Sequence, residues 1–198
     1  KKFKKKWKKK VIWITGASSG IGRSLAIKFA NKGWLVAISA RRNELLKEIE
    51  DKHEKITAFS LDVTNKYKCK EIFEKIKKKY GNIDICFFCA GIYEPRVEKE
   101  IDLERIQEVM NTNFFGTLNC IKAVEEYLKH IQSGHIAIVS SVAGYRGLPN
   151  SSGYGPSKSA LNNLAESLYF NFKKKNVRVS LVSPGFIKTS MTDKNTFK

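Results

Sequence analysis

Short apolar runs alternate with longer amphipathic stretches along nearly the whole chain. Residues 11–14, 34–39, 56–61, 83–89, 135–140 and 177–182 are brief and mostly apolar, as strands buried on both faces of a parallel sheet are. Residues 21–32, 44–55, 65–80, 102–131 and 154–174 read as helices, the first stopping at Gly33, a common helix terminator. Strict strand–helix alternation predicts an α/β fold with a central parallel sheet of about six strands covered on both faces. No internal repeat, low-complexity linker or boundary divides the 198 residues, which reads as one domain over 1–198.

Composition narrows the class. Hydrophobic residues make up 42% and charged residues 28%, as in a globular protein. No apolar run approaches the ~18 residues of a membrane-spanning helix. Residues 1–10 carry eight lysines, but the apolar run behind them is too short for a signal peptide, so a cytoplasmic location is expected. The net charge is +18, and without those eight lysines it is still +10. Scattered lysines of this kind are read as solvated faces with nonspecific attraction to polyanions, and no specific nucleic-acid partner is expected. Binding of polyanions or acidic membrane through the lysine-rich start stays a separate reading. Cys86 and Cys89 have redox-motif spacing but lie in an apolar run, so core packing is expected and no metal site.

Chemistry first appears at Gly16, Gly20 and Gly22, between the first strand and first helix. A doubly wound sheet binds a dinucleotide at this place, glycines letting the backbone approach a pyrophosphate that the helix N-terminus stabilises. The spacing GxxxGxG differs from the general GxGxxG fingerprint. About twenty residues on, such folds read the adenosine ribose, with an acid for NAD or an arginine for the 2′-phosphate of NADP. This chain has Arg41-Arg42 and no carboxylate before Glu44, which favours NADP(H) over NAD(H).

Tyr154 and Lys158 fall one helical turn apart. An ammonium beside a phenol favours the phenolate and brings the tyrosine closer to acid/base work near neutral pH. Pro156 suits the first turn of that helix.

Seven ordered stretches carry a resemblance: residues 15–22, Asp62-Val63, Ala90-Gly91, residues 113–116, Ser140-Ser141, residues 154–158 and Pro184-Gly185. With them the chain resembles the short-chain dehydrogenases/reductases of the common single-domain kind. The resemblance implies a three-layer doubly wound Rossmann fold and an NADP(H)-dependent oxidoreductase that interconverts a carbonyl and an alcohol by hydride transfer. It implies that Tyr154 is the general acid/base, that Lys158 lowers its pKa and binds the nicotinamide ribose, and that Ser141 holds the substrate oxygen. Ser140 is then a non-catalytic neighbour, and Asn113 completes the tetrad through a water-linked relay to Lys158. Gly16, Ser18, Ser19, Gly20, Ile21 and Gly22 would cradle the cofactor, with Arg41 and Arg42 at its phosphate. Asp62 and Val63 would meet the adenine, Ala90 and Gly91 would flank the cofactor, and Pro184, Gly185, Ile187 and Thr189 would hold the nicotinamide. A small carbonyl or alcohol substrate and a homodimer or homotetramer are implied, and the alternative is a catalytically silent dinucleotide-binding regulator.

Two departures matter. Phe88-Cys89-Ala90-Gly91 stands where the family usually has Asn-Asn-Ala-Gly, which removes side chains that brace the sheet. The chain also reads as C-terminally incomplete, with residues 186–198 beginning a substrate loop and the usual final edge strand absent.

Overall fold

The structure is a computed structural model that describes residues 9–93, 100–189 and 191. Most of the lysine-rich start and the end of the expected substrate loop, 192–198, lie outside the described residues. Six strands, β1 (Val11–Thr15), β2 (Leu35–Ala40), β3 (Ile56–Ser60), β4 (Ile85–Phe88), β5 (His135–Val139) and β6 (Arg178–Val182), form one sheet in the order β3-β2-β1-β4-β5-β6. Every neighbouring pair is parallel, in continuous register such as Ile14 opposite Ile38 and Phe87.

Right-handed crossovers assign the helices to faces. The chain first moves outward from β1 to β3, which puts α1 (Gly20–Asn31) and α2 (Asn43–Asp51) on one side. It then crosses back to β4 and proceeds to β6, which puts α3 (Lys66–Tyr80), α4 (Leu103–Met110), α5 (Gly116–Ile131) and α6 (Tyr154–Lys173) on the other. Alternate strand residues feed two separate cores. Ile12, Ile14, Val36 and Ile38 pack with Ala26, Ala30, Leu46 and Ile49, while Trp13, Cys86, Phe88 and Ile138 pack with Phe73, Cys120, Val124 and Leu161. Burying each large side chain of this kind contributes about 1.5–3 kcal/mol. Trp13 sits edge-on to Phe88 at 5.7 Å and donates its ring N–H to Ser39 Oγ at 3.0 Å, so its one polar atom is satisfied.

Two helices depart from the sequence pattern. The helix expected over 44–55 ends at Asp51, because Leu46 and Ile49 are its only buried positions and no apolar residue follows until Ile56 opens β3. The long helix expected over 102–131 is interrupted by a π-helical turn, Asn111–Phe115, where Gly116 N–H donates to Asn111 O. That extra residue turns Asn113 fully into the interior and brings Gly116 against Val63, so close that an added Cβ would lie 2.5 Å from Val63 Cγ2. The missing Asn pair before Ala90-Gly91 is compensated by Thr15, whose Oγ1 accepts from the amides of Cys89 and Ala90 at 3.2 and 3.3 Å.

Candidate active site

At the carboxyl ends of the strands, where the winding reverses between β1 and β4, lies a cavity of about 550 Å³. Open α/β sheets bind ligands at this position. Its floor is the turn from β1 into α1. Gly16 and Gly20 have φ of +68° and +54°, a backbone region that side chains with a Cβ rarely adopt. A Cβ on Gly16 would collide with the Ala90 backbone at 2.8 Å, and one on Gly22 with Gly16 O at 2.5 Å. The glycines therefore let the turn lie against β4 and α1 against the turn.

Ser19 caps α1 in an extended conformation without a side-chain bond to the helix, and no acidic residue occupies the first turn. First-turn amides have no partner within their helix and carry partial positive charge. With Ser18, Ser19, Gly20 and Ile21 on the cavity wall, the start of α1 fits an anionic group. Arg42 Nη2 donates to Ser18 Oγ at 2.8 Å and to Ser19 Oγ at 3.0 Å, which ties the end of β2 to the glycine turn. Arg41 also lines the cavity, and its guanidinium makes no hydrogen bond among the described residues. The two arginines thus differ in a way that sequence spacing cannot show. Beyond them, Leu61, Asp62 and Val63 form the next wall; Asp62 accepts from the amide and hydroxyl of Thr64 at 3.0 and 2.8 Å.

The opposite end holds the proton chemistry. Tyr154 and Lys158 begin α6, Ser141 follows β5, and all three line the cavity with Gly91, Pro184, Gly185, Ile187 and Thr189. The Ser141 hydroxyl hydrogen-bonds the Tyr154 phenol and also accepts from Ala143 N–H at 3.2 Å. Lys158 is 4% exposed, donates to Val139 O at 3.0 Å, and places Nζ 5.5 Å from the Tyr154 ring centre. Burial pulls its pKa down to about 8, partly offset by the neighbouring Cys89 thiol.

Burial raises the Tyr154 pKa above the usual tyrosine value, and the bond from Ser141 moderates the rise. In the unliganded site the tyrosine is therefore held as the protonated acid.

Asn113 and Gly22 do not line the cavity and act from behind it. Asn113 Oδ1 accepts from Ile92 N–H at 2.7 Å, and its Nδ2 donates to Ile92 O at 3.1 Å and Ser157 Oγ at 3.0 Å. Ser157, fully buried, donates its hydroxyl hydrogen bond to the backbone O of Tyr154 at 2.7 Å. Ser140 points away from the chemistry, donating to Lys158 O and Asn162 Oδ1. Sequence reasoning missed Ser157 and Tyr93. The Tyr93 ring lies 4.7 Å from that of Tyr154, whereas the signal for Ser157 was its place between Tyr154 and Lys158 in the same helical turn.

The chain is similar to known proteins over most of its length. A family model described as short chain dehydrogenase matches residues 10–197. The chain is 36% identical over 188 residues to an uncharacterised oxidoreductase of Staphylococcus saprophyticus, covering 92% of this chain and 80% of that one. It is 35% identical over 189 residues to 3-oxoacyl-(acyl-carrier-protein) reductase FabG of Thermotoga maritima, covering 93% and 77%. Among solved structures, ElxO with NADP bound superimposes with a TM-score of 0.87 at 32% identity, covering 94% of this chain and 77% of that chain. A tyrosine-to-phenylalanine variant of ElxO with NADPH bound matches with the same scores.

Proposed function

Because this chain belongs to the short-chain dehydrogenase family, we propose that it is an NADP(H)-dependent oxidoreductase that interconverts a carbonyl and an alcohol. The observation that carries this reading is a single cavity with an anion-fitting helix start at one end and Ser141, Tyr154 and Lys158 at the other. The residues present fit a dinucleotide: a side chain at Gly16 or Gly22 would fill the cradle or displace its walls. The bound nicotinamide supplies or accepts the hydride. Everything else falls to the protein.

Ser18, Ser19, Gly20 and Ile21 hold the pyrophosphate at the start of α1, with Arg41 and Arg42 at the 2′-phosphate. Asp62 and Val63 border the adenine, Ala90 and Gly91 flank the cofactor, and Pro184, Gly185, Ile187 and Thr189 hold the nicotinamide end. In reduction, Ser141 donates to the substrate oxygen and polarises the carbonyl, and Tyr154 Oη delivers the proton to that oxygen as the alcohol forms. In oxidation the phenolate takes the same proton back. Lys158 holds the nicotinamide ribose and supports the charge on Tyr154. Asn113, fixed by Ile92 and Ser157, keeps the start of α6 in register with β4 and connects to Lys158 through water. The intact Ser141, Tyr154 and Lys158 argue against a silent dinucleotide-binding regulator.

NADP preference rests on Arg41 and Arg42 standing where an acid would read the NAD ribose. Titration with both cofactors tests it: NADPH binds more tightly than NADH, and the advantage shrinks in an Arg41→Ala variant. Tighter NADH binding reverses the assignment. The protein is read as one cytoplasmic domain. Exposed Tyr169 and Phe170 on α6 offer an apolar surface for a homodimer or homotetramer.

A further inference from the structure

Two tyrosines meet on the cavity wall, and only Tyr154 has a part in the proposed reaction. Tyr93, in the loop after β4, brings its ring centre to 4.7 Å from that of Tyr154, with 48° between the planes. Aromatic pairs at this separation attract beyond their buried area, so each ring restricts how the other can turn.

The backbones of the two tyrosines are joined as well. Asn113, buried in the π-helical turn, accepts from Ile92 N–H at 2.7 Å and donates to Ile92 O at 3.1 Å. These two bonds fix the peptide groups on either side of Ile92, the residue next to Tyr93. Asn113 Nδ2 also donates to Ser157 Oγ at 3.0 Å, and Ser157 donates to Tyr154 O at 2.7 Å. A closed path therefore runs from Tyr93 through Ile92, Asn113 and Ser157 to Tyr154, and returns through the ring contact. Stacking between two independently anchored segments would have no fixed geometry; here one buried amide sets both anchors.

The other neighbours of Tyr154 act differently. Ser141 hydrogen-bonds its phenol, Lys158 Nζ lies 5.5 Å from its ring centre, and the Cys89 thiol stands near it after β4. Arg105 and Glu108 of α4 also line the cavity and pair with each other. Among the described residues, Tyr93 supplies the ring that lies against Tyr154.

We propose that Tyr93 is a positioning residue: its ring, anchored through Ile92 and Asn113, holds the Tyr154 phenol towards the substrate oxygen and shields it from water. The role rests on the oxidoreductase reading for the reaction it serves. Burial is the main cause of the raised Tyr154 pKa, and the Tyr93 phenol is a smaller one. Removing the ring lets water reach the phenolate and lowers that pKa. Reduction needs the protonated phenol, so its alkaline loss then begins at lower pH.

The test compares the wild type with Tyr93→Ala, Tyr93→Leu and Tyr93→Phe in NADPH-dependent reduction of a panel of ketones and in titration of Tyr154. Titration is followed by NMR on the full chain without cofactor, with tyrosine isotope-labelled at the ring carbon bearing the hydroxyl; Tyr154→Phe identifies the signal. Tyr93→Ala and Tyr93→Leu are expected to lower kcat about tenfold or more, to keep NADPH affinity, and to move the Tyr154 titration to lower pH. Tyr93→Phe restores kcat and most of the titration, because it keeps the ring and loses only the hydroxyl. An unmoved titration or an unchanged kcat in Tyr93→Ala and Tyr93→Leu overturns the proposal, as does a Tyr93→Phe variant no better than Tyr93→Leu. A wild type that reduces no ketone counts against the oxidoreductase reading, and the titration then decides by itself whether Tyr93 shields Tyr154.

Discussion

At the scale of single residues, Lys158 shows how the site trades stability for chemistry. Its folded pKa of about 8 lies below the ordinary 10.5, so between these values the unfolded chain binds the proton that the folded chain has lost. Stability therefore rises with pH from about 8 towards 10.5, and the cost of burying the ammonium is fully present below 8. Lys158→Met should raise the stability of the unliganded protein by roughly 2 kcal/mol at neutral pH, allowing for the lost bond to Val139 O. It should also flatten the alkaline rise, which urea unfolding at neutral and alkaline pH measures directly. Ser157 makes a different prediction. Ser157→Ala leaves Asn113 its two bonds to Ile92 but removes the link to α6. A loss of about 1 kcal/mol in stability is expected, together with a kcat that falls more than the affinity for NADPH, because the cofactor walls are untouched. Tyr154, Lys158 and Ser141 were legible in the sequence because two share one helical turn and the third lies in a short motif upstream. Ser157's role was not, since its partner Asn113 is 44 residues away. Nor could spacing show that Arg42, and not Arg41, bonds Ser18 and Ser19.

Among elements, the turn from β1 into α1 is the most constrained. Gly22 has no unusual φ, yet a Cβ added to it would lie 2.5 Å from Gly16 O, so its absence is what lets α1 pack this closely on the turn. Gly22→Ala should push α1 off the turn, cost more than ~1 kcal/mol in stability, and weaken NADPH binding at least tenfold in a direct titration. An unchanged affinity would mean that the helix start is not the pyrophosphate site. The strands were readable from their apolar runs, and the helices from their amphipathic period. The break between α4 and α5 was not, because a π turn keeps the helical pattern of the sequence and is stabilised by distant groups. Here those groups are Ile92 and Ser157 on the Asn113 side chain. The overrun of α2 has a simpler cause. Polar residues 52–55 suit a helix locally, but nothing on that stretch anchors it to the core.

Over the whole molecule, the parallel sheet collects the chemistry at its carboxyl edge, which gathers the glycine turn, Arg41, Ser141, Tyr154 and Lys158 around one cavity. Alternation of strands and helices predicted the layered architecture. It could not say where the winding reverses, because that depends on which strand β4 joins, and β4 pairs with β1 through Trp13 opposite Cys86 and Ile14 opposite Phe87. The reversal is what makes the cavity.

Tyr154 is proposed to deliver the proton in an NADPH-dependent carbonyl reduction. The most direct measurement is NADPH oxidation by the wild-type chain and by Tyr154→Phe, across a panel of ketones, acyl thioesters and steroids, with NADPH binding measured in parallel. Loss of a positioned general acid costs about 10²–10⁴-fold. A fall of that size is expected on every substrate the wild type reduces, with NADPH affinity retained because the phenyl ring still fills the wall. Equal turnover by the two proteins would contradict it.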